Sequence, residues 1–318
     1  MNPEKKFDVL CIGMALVDSI IKGFNPTPIS ASGFRASSCT LSAGGEAVNE
    51  AVTASKLGLK TAILCALGKD MAGSLVSEVL KENNVDTSLI LYPQEHSTPV
   101  TTMFVNEDGT RKSVTNLSHT FNFHPESHLE ALLQTRTIIL GSLFRAPFDN
   151  PTSVKAVLEF AHDNGILIVA DTKLPNFRFM SLEDLKDFLP LIDYITPNED
   201  EARYFTGKET SEEMAKVFLS YGVKNVIIKL GSKGCYFTNG KERIVLPALR
   251  VNAVDATGAG DNFVAGLVSE LLRGEDILEA LKFATTCGAL CSTAIGACTA
   301  LKNREQIIKW KSELDPKT

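Results

Sequence analysis

Short apolar runs rich in β-branched residues alternate with helical patterns along most of this 318-residue chain. Such alternation is typical of a parallel sheet whose strands are joined by helices that cover both faces. We therefore predict a single doubly wound α/β domain over residues 1–318, with a mainly parallel sheet. The predicted strands are 7–13, 61–65, 137–140, 166–170, 194–196 and 226–230, and the predicted helices include 46–57, 72–83, 152–164 and 182–188.

Two segments interrupt this alternation. Residues 18–40 are rich in Ser, Pro, Gly and Thr, and residues 98–116 have the pattern of two strands joined by the turn Asn106-Glu-Asp-Gly109. Asn, Asp and Gly favour the backbone angles of hairpin turns. Because one βα unit separates the two segments, we predict that they meet in space as a small sheet beside the main domain. An ordinary surface hairpin is the alternative.

The composition is typical of a globular chain, with 44% hydrophobic and 22% charged residues. The net charge of −6 is spread along the sequence, which predicts no nucleic-acid partner and no anionic membrane partner. No apolar run approaches the ~18 residues of a membrane helix, and the N-terminal segment is too short for the apolar region of a signal peptide. The sequence therefore predicts no membrane association.

The seven cysteines form no Cys-x-x-Cys pair, and most of them lie in apolar runs. This pattern predicts reduced thiols in the core of a cytoplasmic protein. Cys287 and Cys291 would share one face of a helix, which leaves metal binding as an alternative. No histidine lies near them and their neighbours are small, so the sequence favours close packing.

A glycine-rich loop, Asp255-Ala-Thr-Gly-Ala-Gly-Asp261, is followed by the mainly apolar stretch 262–272, which predicts a buried helix. A helix N-terminus presents unpaired N–H groups and a partial positive charge, so it can hold a phosphate. Gly258 and Gly260 allow close approach of the backbone. Asp261 would repel a resting phosphate, which indicates that it accepts a proton instead. The loop predicts phosphoryl transfer to a hydroxyl.

Two other interpretations of this loop compete with phosphoryl transfer. Asp261 is also a good helix-capping residue, so a purely structural role is the alternative. A dinucleotide fingerprint fails, because its third glycine position is occupied by Phe263. The sequence contains no Gly-x-x-x-x-Gly-Lys-Ser/Thr motif, which excludes a P-loop.

Four segments in this order resemble the signatures of the ribokinase-like (PfkB-type) carbohydrate kinases. They are 43–58, which begins Ala-Gly-Gly-Glu-Ala-Val-Asn; 196–202, Thr-Pro-Asn-Glu-Asp-Glu-Ala; 229–234, Lys-Leu-Gly-Ser-Lys-Gly; and 255–266, which contains the loop. The resemblance covers essentially the whole chain. It implies a ribokinase-like fold with a β lid, built from about 18–40 and 98–116, that covers the sugar and often pairs between the subunits of a homodimer.

The resemblance also implies the reaction and the residues that perform it. ATP would be the phosphoryl donor, and a primary hydroxyl of a small carbohydrate would be the acceptor. Asp261 would be the catalytic base, beside the backbone of Gly258, Ala259 and Gly260. The residues implied to bind the sugar are Asp18, Gly44, Gly45, Asn49 and Arg111, and those implied to bind the nucleotide are Gly231, Ser232, Gly234 and Thr257.

Two cation sites follow from the same resemblance. Asn198 and Glu201, at i and i+3 of a predicted helix, would hold Mg²⁺ through water, since this ion keeps much of its hydration shell. A helix cap formed by the same two residues is the alternative. Asp255, with Thr257 and the backbone of 294–296, would form a monovalent-cation site of the kind that binds K⁺.

Two charged residues carry further alternatives. Asp18 follows the carboxyl end of the first predicted strand, where open α/β sheets bind ligands, although a solvated loop acid is the alternative. Arg111, on the predicted lid hairpin, would reach the substrate or lie on the surface. Glu46 occupies a position where ribokinases carry lysine, and this difference puts ribose in doubt.

The acceptor stays open among a ketohexose, a pentose, a keto-deoxy sugar acid and a nucleoside. A nucleoside kinase of this fold would need aromatic side chains for the base, for which Phe24, Phe34, Phe104 and Phe144 are available. A sugar sensor without catalysis is a further alternative. A sensor would have no need for a base at an anion site, so the sequence favours the enzyme.

Overall fold

The computed structural model describes residues 5–23, 36–105, 111–116, 123–176 and 178–314. The described strands, in chain order, are β1 (Phe7–Ile12), β2 (Leu16–Lys22), β3 (Ser38–Gly44), β4 (Thr61–Leu64), β5 (Val100–Val105), β6 (Arg111–Thr115), β7 (Thr135–Leu143), β8 (Leu167–Thr172), β9 (Tyr194–Ile195), β10 (Asn225–Lys229), β11 (Cys235–Thr238) and β12 (Arg243–Leu246). The described α-helices are α1 (Glu46–Lys56), α2 (Met71–Glu82), α3 (Pro151–Asp163), α4 (Glu199–Thr206), α5 (Ser211–Ser220), α6 (Ala259–Arg273), α7 (Ile277–Cys291) and α8 (Arg304–Leu314).

The central sheet has the strand order β12-β11-β10-β9-β8-β7-β1-β4 over the described residues. From β10 to β4 all neighbouring strands are parallel, and β11 and β12 add an antiparallel edge. Helices α3, α4 and α5 cover one face, and α1, α2, α6 and α7 cover the other. The prediction of a doubly wound, mainly parallel sheet is confirmed.

Burial on both faces explains why the strands are apolar almost throughout. In β1, Leu10 and Ile12 point toward one layer of helices, and Val9 and Cys11 point toward the other. All four side chains are fully buried. Parallel strands covered on both sides lack polar alternation for this reason. The same geometry places the carboxyl ends of the parallel strands at one edge, where the site is found.

A second, smaller sheet has the order β3-β2-β5-β6. Strands β2 and β5 are parallel, with Val17 opposite Val100, and each has an antiparallel partner on its other side. The two segments that interrupt the main pattern therefore meet as predicted. The sheet begins at Leu16 and ends at Gly44 on the N-terminal side, slightly beyond the predicted range. Residues 24–35 and the turn at 106–110 lie outside the described residues.

One predicted helix is wrong. Residues 182–188 form no α-helix; they contain the 3-10 turn Glu183–Leu185, and a second 3-10 turn, Leu189–Leu191, follows them. Pro190 has no backbone N–H to donate, so an α-helix could not continue through it. Burial of Leu182, Leu185 and Leu189 holds the turns in place instead.

The structure also tests the predictions of reduced cysteines and of no membrane helix. All seven cysteines are unpaired, as predicted. Cys287 and Cys291 are buried in α7, and within the described residues no cluster of His, Cys, Asp or Glu could hold a metal ion by itself. None of the described helices combines the length and apolar character that a membrane span requires.

Candidate active site

A cavity of about 660 Å³ opens between the carboxyl edge of the central sheet, the second sheet and the N-terminus of α6. This is the edge at which parallel α/β sheets bind ligands. Many residues predicted from sequence line it together, although they are far apart in the chain. They are Asp18, Gly45, Asn49, Asn198, Glu201, Gly231, Thr257, Gly258, Ala259, Gly260 and Asp261.

The loop before α6 has the geometry of an anion site. The helix begins at Ala259, three residues before the predicted apolar stretch, and Gly258 is its N-cap with φ 79°. A side chain at Gly258 would overlap the Cβ of Ala297, so packing as well as backbone angle requires glycine. The Ala259 N–H donates to the Ala256 carbonyl at 3.2 Å. The N–H groups of Gly260 and Asp261 are therefore the first-turn donors at the cavity.

Asp261 is the buried acid of this site, with 5% of its surface exposed. Its Oδ2 accepts a hydrogen bond of 2.7 Å from Nδ2 of Asn49, a residue of α1. It does not cap α6, because the N-cap is Gly258 and no side chain of the described residues caps that helix. The capping interpretation is therefore wrong. Burial raises the pKa of Asp261, while the nearby Lys173 ammonium opposes the shift.

Lys229 and Asp171 form an ion pair that sequence reasoning missed. Lys229 Nζ lies 2.6 Å from Asp171 Oδ1, and Thr196 Oγ1 donates to the same oxygen at 2.7 Å. A Cβ on Gly260 would be 3.1 Å from Lys229 Nζ, so the ammonium lies against the anion loop. Both residues lie at the carboxyl ends of apolar strands. This position in the sequence could have indicated that they line the site, because parallel sheets bind ligands at that edge.

A second ion pair, Lys173 with Glu46, lines the same cavity. Lys173 Nζ is 3.5 Å from Glu46 Oε1, and Arg145 donates to the Leu174 carbonyl at 2.8 and 3.0 Å. Burial disfavours the charged form of Lys173, but Glu46 and other nearby carboxylates raise its pKa above the ordinary value. The sequence marks Glu46 only as a departure from ribokinases. Lys173 and Arg145 were not predicted.

The position of Asp18 differs from the expectation. It lies within β2, between Ser42 of β3 and Thr101 of β5, rather than in a loop after β1. A side chain at Gly44 would overlap the Asp18 carboxylate, so Gly44 makes room for that acid and is not itself among the lining residues. Gly45 has φ 96°, and its close contact with the Met14 carbonyl leaves no space for a side chain.

Asn198 and Glu201 form a capping box at the start of α4. Each side chain accepts a 2.9 Å hydrogen bond from the other residue's N–H, and Thr172 Oγ1 also donates to Glu201 Oε2 at 2.8 Å. The alternative of a helix cap is therefore present in the structure, while both residues still line the cavity. Burial raises the pKa of Glu201, and the charge of Asp171 adds to this.

Asp255 ties the anion loop to a neighbouring segment. Its Oδ1 accepts from the N–H and the hydroxyl of Thr257 at 3.0 and 2.7 Å, and its Oδ2 accepts from the Gly296 N–H at 3.0 Å. Burial opposes ionisation of this carboxyl, but the Gly296 and Thr257 hydrogen bonds hold its pKa below the ordinary value. Asp255 does not line the cavity.

The turn predicted to bind nucleotide lies between β10 and β11. Gly231 lines the cavity, whereas Ser232 is exposed outside it and Gly234, with φ 103°, packs against the Leu246 carbonyl of β12. Arg111 is the first residue of β6, and its side chain lies outside the described residues. The structure thus brings together most of the predicted residues, but not Ser232, Gly234, Gly44 or Asp255.

Several curated proteins are similar to this chain along most of its length. The curated relatives include a ribokinase from Haemophilus influenzae, 30% identical over 84% of this chain and 86% of that protein. An ATP-dependent 6-phosphofructokinase from Thermoanaerobacterium thermosaccharolyticum is 26% identical over 96% and 94%. Probable fructokinase-2 from Arabidopsis thaliana is 27% identical over 94% of both chains. The protein is a carbohydrate kinase. A sequence model described as pfkB family carbohydrate kinase matches residues 6–304, so the chain belongs to the PfkB family.

Solved structures agree on the fold. Arabidopsis thaliana ribokinase complexed with ribose and ATP has a TM-score of 0.84 and 24% identity, covering 96% of this chain and 98% of that one. A putative ribokinase II from E. coli in complex with ATP and Mg²⁺ has a TM-score of 0.78 and 25% identity, covering 96% and 99%. The predicted ribokinase-like fold is confirmed.

Proposed function

We propose that this carbohydrate kinase transfers the γ-phosphoryl group of ATP to a primary hydroxyl of a small neutral sugar. The observation that carries the proposal is the position of Asp261. It is a buried acid in the first turn of α6, it is oriented by Asn49, and the Lys229 ammonium lies against the loop beside it. A base, an anion site and a cation at one point suit phosphoryl transfer better than sugar sensing.

In the proposed step, Asp261 accepts the proton of the sugar hydroxyl while that oxygen attacks the γ-phosphorus in line with the departing ADP. The new O–P bond replaces the bond to the β-phosphate oxygen, and the electron pair leaves with ADP. The N–H groups of Gly260 and Asp261 and the Lys229 ammonium would stabilise charge on the transferring group. Asn49 would hold the Asp261 carboxylate in the orientation that receives the proton.

Magnesium and a monovalent cation are parts of the proposal. Asn198 and Glu201 line the cavity with an amide and a carboxylate, which are oxygen ligands of the kind that Mg²⁺ accepts through water. Their mutual capping bonds favour a water-mediated role over direct ligation. When bound, Mg²⁺ neutralises charge on the phosphates. We also propose that Asp255 is the carboxylate of a K⁺ site, because its hydrogen bonds to Thr257 and Gly296 hold the anion loop on the side away from the cavity.

The charges of the cavity favour a neutral acceptor over a sugar acid or sugar phosphate. Among the described residues, five carboxyl groups line it, against three cationic side chains. Lys173 faces Glu46 and Lys229 faces Asp171, so two of the three cations already have a carboxylate partner. The acidic residues are Asp18, Glu46, Asp171, Glu201 and Asp261, and the cations are Arg145, Lys173 and Lys229. Hydroxyl groups pair well with carboxylates, whereas an anionic acceptor would be repelled.

A nucleoside acceptor is less well supported. Phe144 is fully buried and packs on Phe205 with ring centroids 4.1 Å apart, so it is not available to a base in the cavity. Phe24 and Phe34 lie outside the described residues, and Phe104 is not among the lining residues. A small sugar therefore remains the proposed acceptor.

We propose that the protein is cytoplasmic, because its seven unpaired thiols would stay reduced there.

We further propose that two copies associate through the second sheet. Leu41 and Val114 are each 65% exposed. Leu41 is on one edge strand, β3, and Val114 is on the other, β6. The strand register connects them through two cross-strand neighbours, Ser19 in β2 and Thr102 in β5. The two apolar side chains therefore belong to one face of the sheet, which a second copy would cover while the other face closes over the sugar.

The proposed reaction is tested by ADP release with ATP and Mg²⁺ against fructose, tagatose, ribose, 2-keto-3-deoxygluconate, fructose 6-phosphate and adenosine. We expect turnover with a neutral sugar. In Asp261→Asn, kcat should fall by ~10²–10⁴ while the sugar still binds, because only the base is removed. Full activity of that variant would contradict the role of Asp261. Turnover only with an anionic sugar would contradict the charge argument.

A further inference from the structure

Glu50 is a buried acid that the proposed mechanism does not use. It lies in α1, one turn after Glu46, and its side chain has no exposed surface. Among the described residues neither carboxyl oxygen has a hydrogen-bond partner. A Cβ on Gly141 of β7 would be 3.0 Å from Glu50 Oε2, so the carboxyl lies directly against that strand. Buried polar atoms without partners are uncommon in native proteins, so this one needs a physical explanation.

The elements packed around Glu50 contribute mostly negative charge. The groups that face it are Asp261 from α6, Asp171 from β8, Glu46 from its own helix, Lys229 from β10 and the Cys11 thiol from β1. Burial alone disfavours ionisation of Glu50, and the three neighbouring carboxylates add to that effect. Lys229 opposes them, but its ammonium is already paired with Asp171 at 2.6 Å.

The hydrogen-bond and ion-pair partners of the four neighbouring carboxyl groups indicate which of them is protonated. Asp171 has Lys229 and Thr196, Glu46 has Lys173, and Asp261 has the Asn49 amide. Only Glu50 of these four carboxyl groups lacks a partner within the described residues. An ionised carboxylate buried without a partner is very unfavourable, and in practice such a group stays protonated.

We propose that Glu50 is a positioning residue that remains a neutral carboxylic acid in the working kinase, and that its neutrality leaves Asp261 as the anionic base. The inference rests on the proposed role of Asp261. Two interacting acids lose their protons in two steps, and the partnered Asp261 would ionise first. Glu50 keeps its proton throughout the transfer, so the hydroxyl proton still goes to Asp261. At higher pH, ionised Glu50 would add a negative charge close to the transferring phosphoryl group.

The protonation state can be tested without any substrate. A carboxyl whose pKa is raised in the folded state binds a proton that the unfolded chain has already lost above pH ~4.3. Folding stability contributed by this group therefore falls as pH rises from there to the folded pKa. Gln mimics the neutral acid and does not titrate. We expect the Tm difference, Glu50→Gln minus wild type, to increase steadily between acidic and mildly alkaline pH.

Glu46→Gln is the matched control, since it makes the same change one helical turn away. Burial disfavours the charge of Glu46, but Lys173, a backbone hydrogen bond, Arg145 and Ser142 together hold the pKa of Glu46 below its ordinary value. Its stabilising contribution is present above the unfolded pKa and lost in acid, so its Tm difference should become more negative as pH rises. If Glu50→Gln follows the trend of Glu46→Gln, or shows no trend, the proposal is wrong. If Glu50→Gln does not fold, Glu50→Met supplies the same comparison.

The link to catalysis is tested by the pH dependence of kcat/KM with whichever sugar is turned over. We expect kcat/KM of the wild type to decline at alkaline pH by up to tenfold per pH unit, and Glu50→Gln to lack that decline while keeping the acidic limb of Asp261. An alkaline limb that is unchanged in the variant would overturn the positioning role. If no sugar is turned over by the wild type, the proposed function fails, while the Tm comparison still decides the state of Glu50.

Discussion

The Lys229 ammonium group contacts both Asp171 and the anion loop. It pairs with Asp171, which is 1% exposed, and it lies against the anion loop at Gly260. We expect Lys229→Met to lower stability by on the order of 3 kcal/mol, because Asp171 is left buried without its cation. It should also lower kcat by ~10²–10³, because a charge that stabilises the transferring phosphoryl group is lost.

Chemical denaturation and steady-state kinetics separate the two effects. The double variant Lys229→Met with Asp171→Asn removes both charges of the pair, so most of the lost stability should return. Its kcat should stay low, since the phosphoryl group still lacks the ammonium. A double variant that recovers activity along with stability would show that Lys229 acts only by holding the fold together.

At the scale of elements, the start of α6 depends on a glycine for two separate reasons. Gly258 has φ 79°, and a Cβ there would overlap Ala297. Gly274, the C-cap of the same helix, has φ 81°, but a Cβ at that position would meet no atom of the described residues within 4 Å. Gly258→Ala should therefore cost ~1–2 kcal/mol for the backbone angle and a further ~1–3 kcal/mol for overlap.

Gly274→Ala is the control, because it has the backbone cost without the overlap. Thermal or urea denaturation should rank Gly258→Ala as clearly less stable than Gly274→Ala. Only Gly258→Ala should also reduce kcat, because shifting the first turn of α6 displaces Asp261 and the N–H groups beside it. Equal losses of stability in the two variants would mean that the Ala297 contact relaxes without cost.

At the scale of the whole molecule, the proposed dimer gives the exposed apolar face of the second sheet a partner. Leu41→Lys with Val114→Lys places two cations on that face, and like charges on both copies would oppose association. Sedimentation equilibrium should show a dimer for the wild type and a monomer for the variant. A variant that remains dimeric would exclude this face as the interface, and a monomeric wild type would contradict the dimer itself.

Local patterns were sufficient for the architecture. The apolar strands and the helical periodicity predicted the parallel sheet, and the loop at 255–261 predicted an acid at a helix N-terminus. The helix predicted at 182–188 is wrong, because the segment has a helical pattern but its backbone forms a 3-10 turn beside buried leucines. Asp18 was expected after a strand but lies within one, since the start of β2 depends on pairing with β3 and β5.

The fold class, the anion loop and the acid Asp261 could be predicted from the sequence alone, because each follows from a local pattern along the chain. Which charged groups lie next to each other in the site depends on the tertiary fold. Asn49 and Asp261 are 212 residues apart, and Lys229 and Asp171 are 58 apart. Their pairing, and the isolation of Glu50 among other acids, depend on strand order and helix packing. Short-range patterns do not contain this information, because electrostatic partners are set by distance in space.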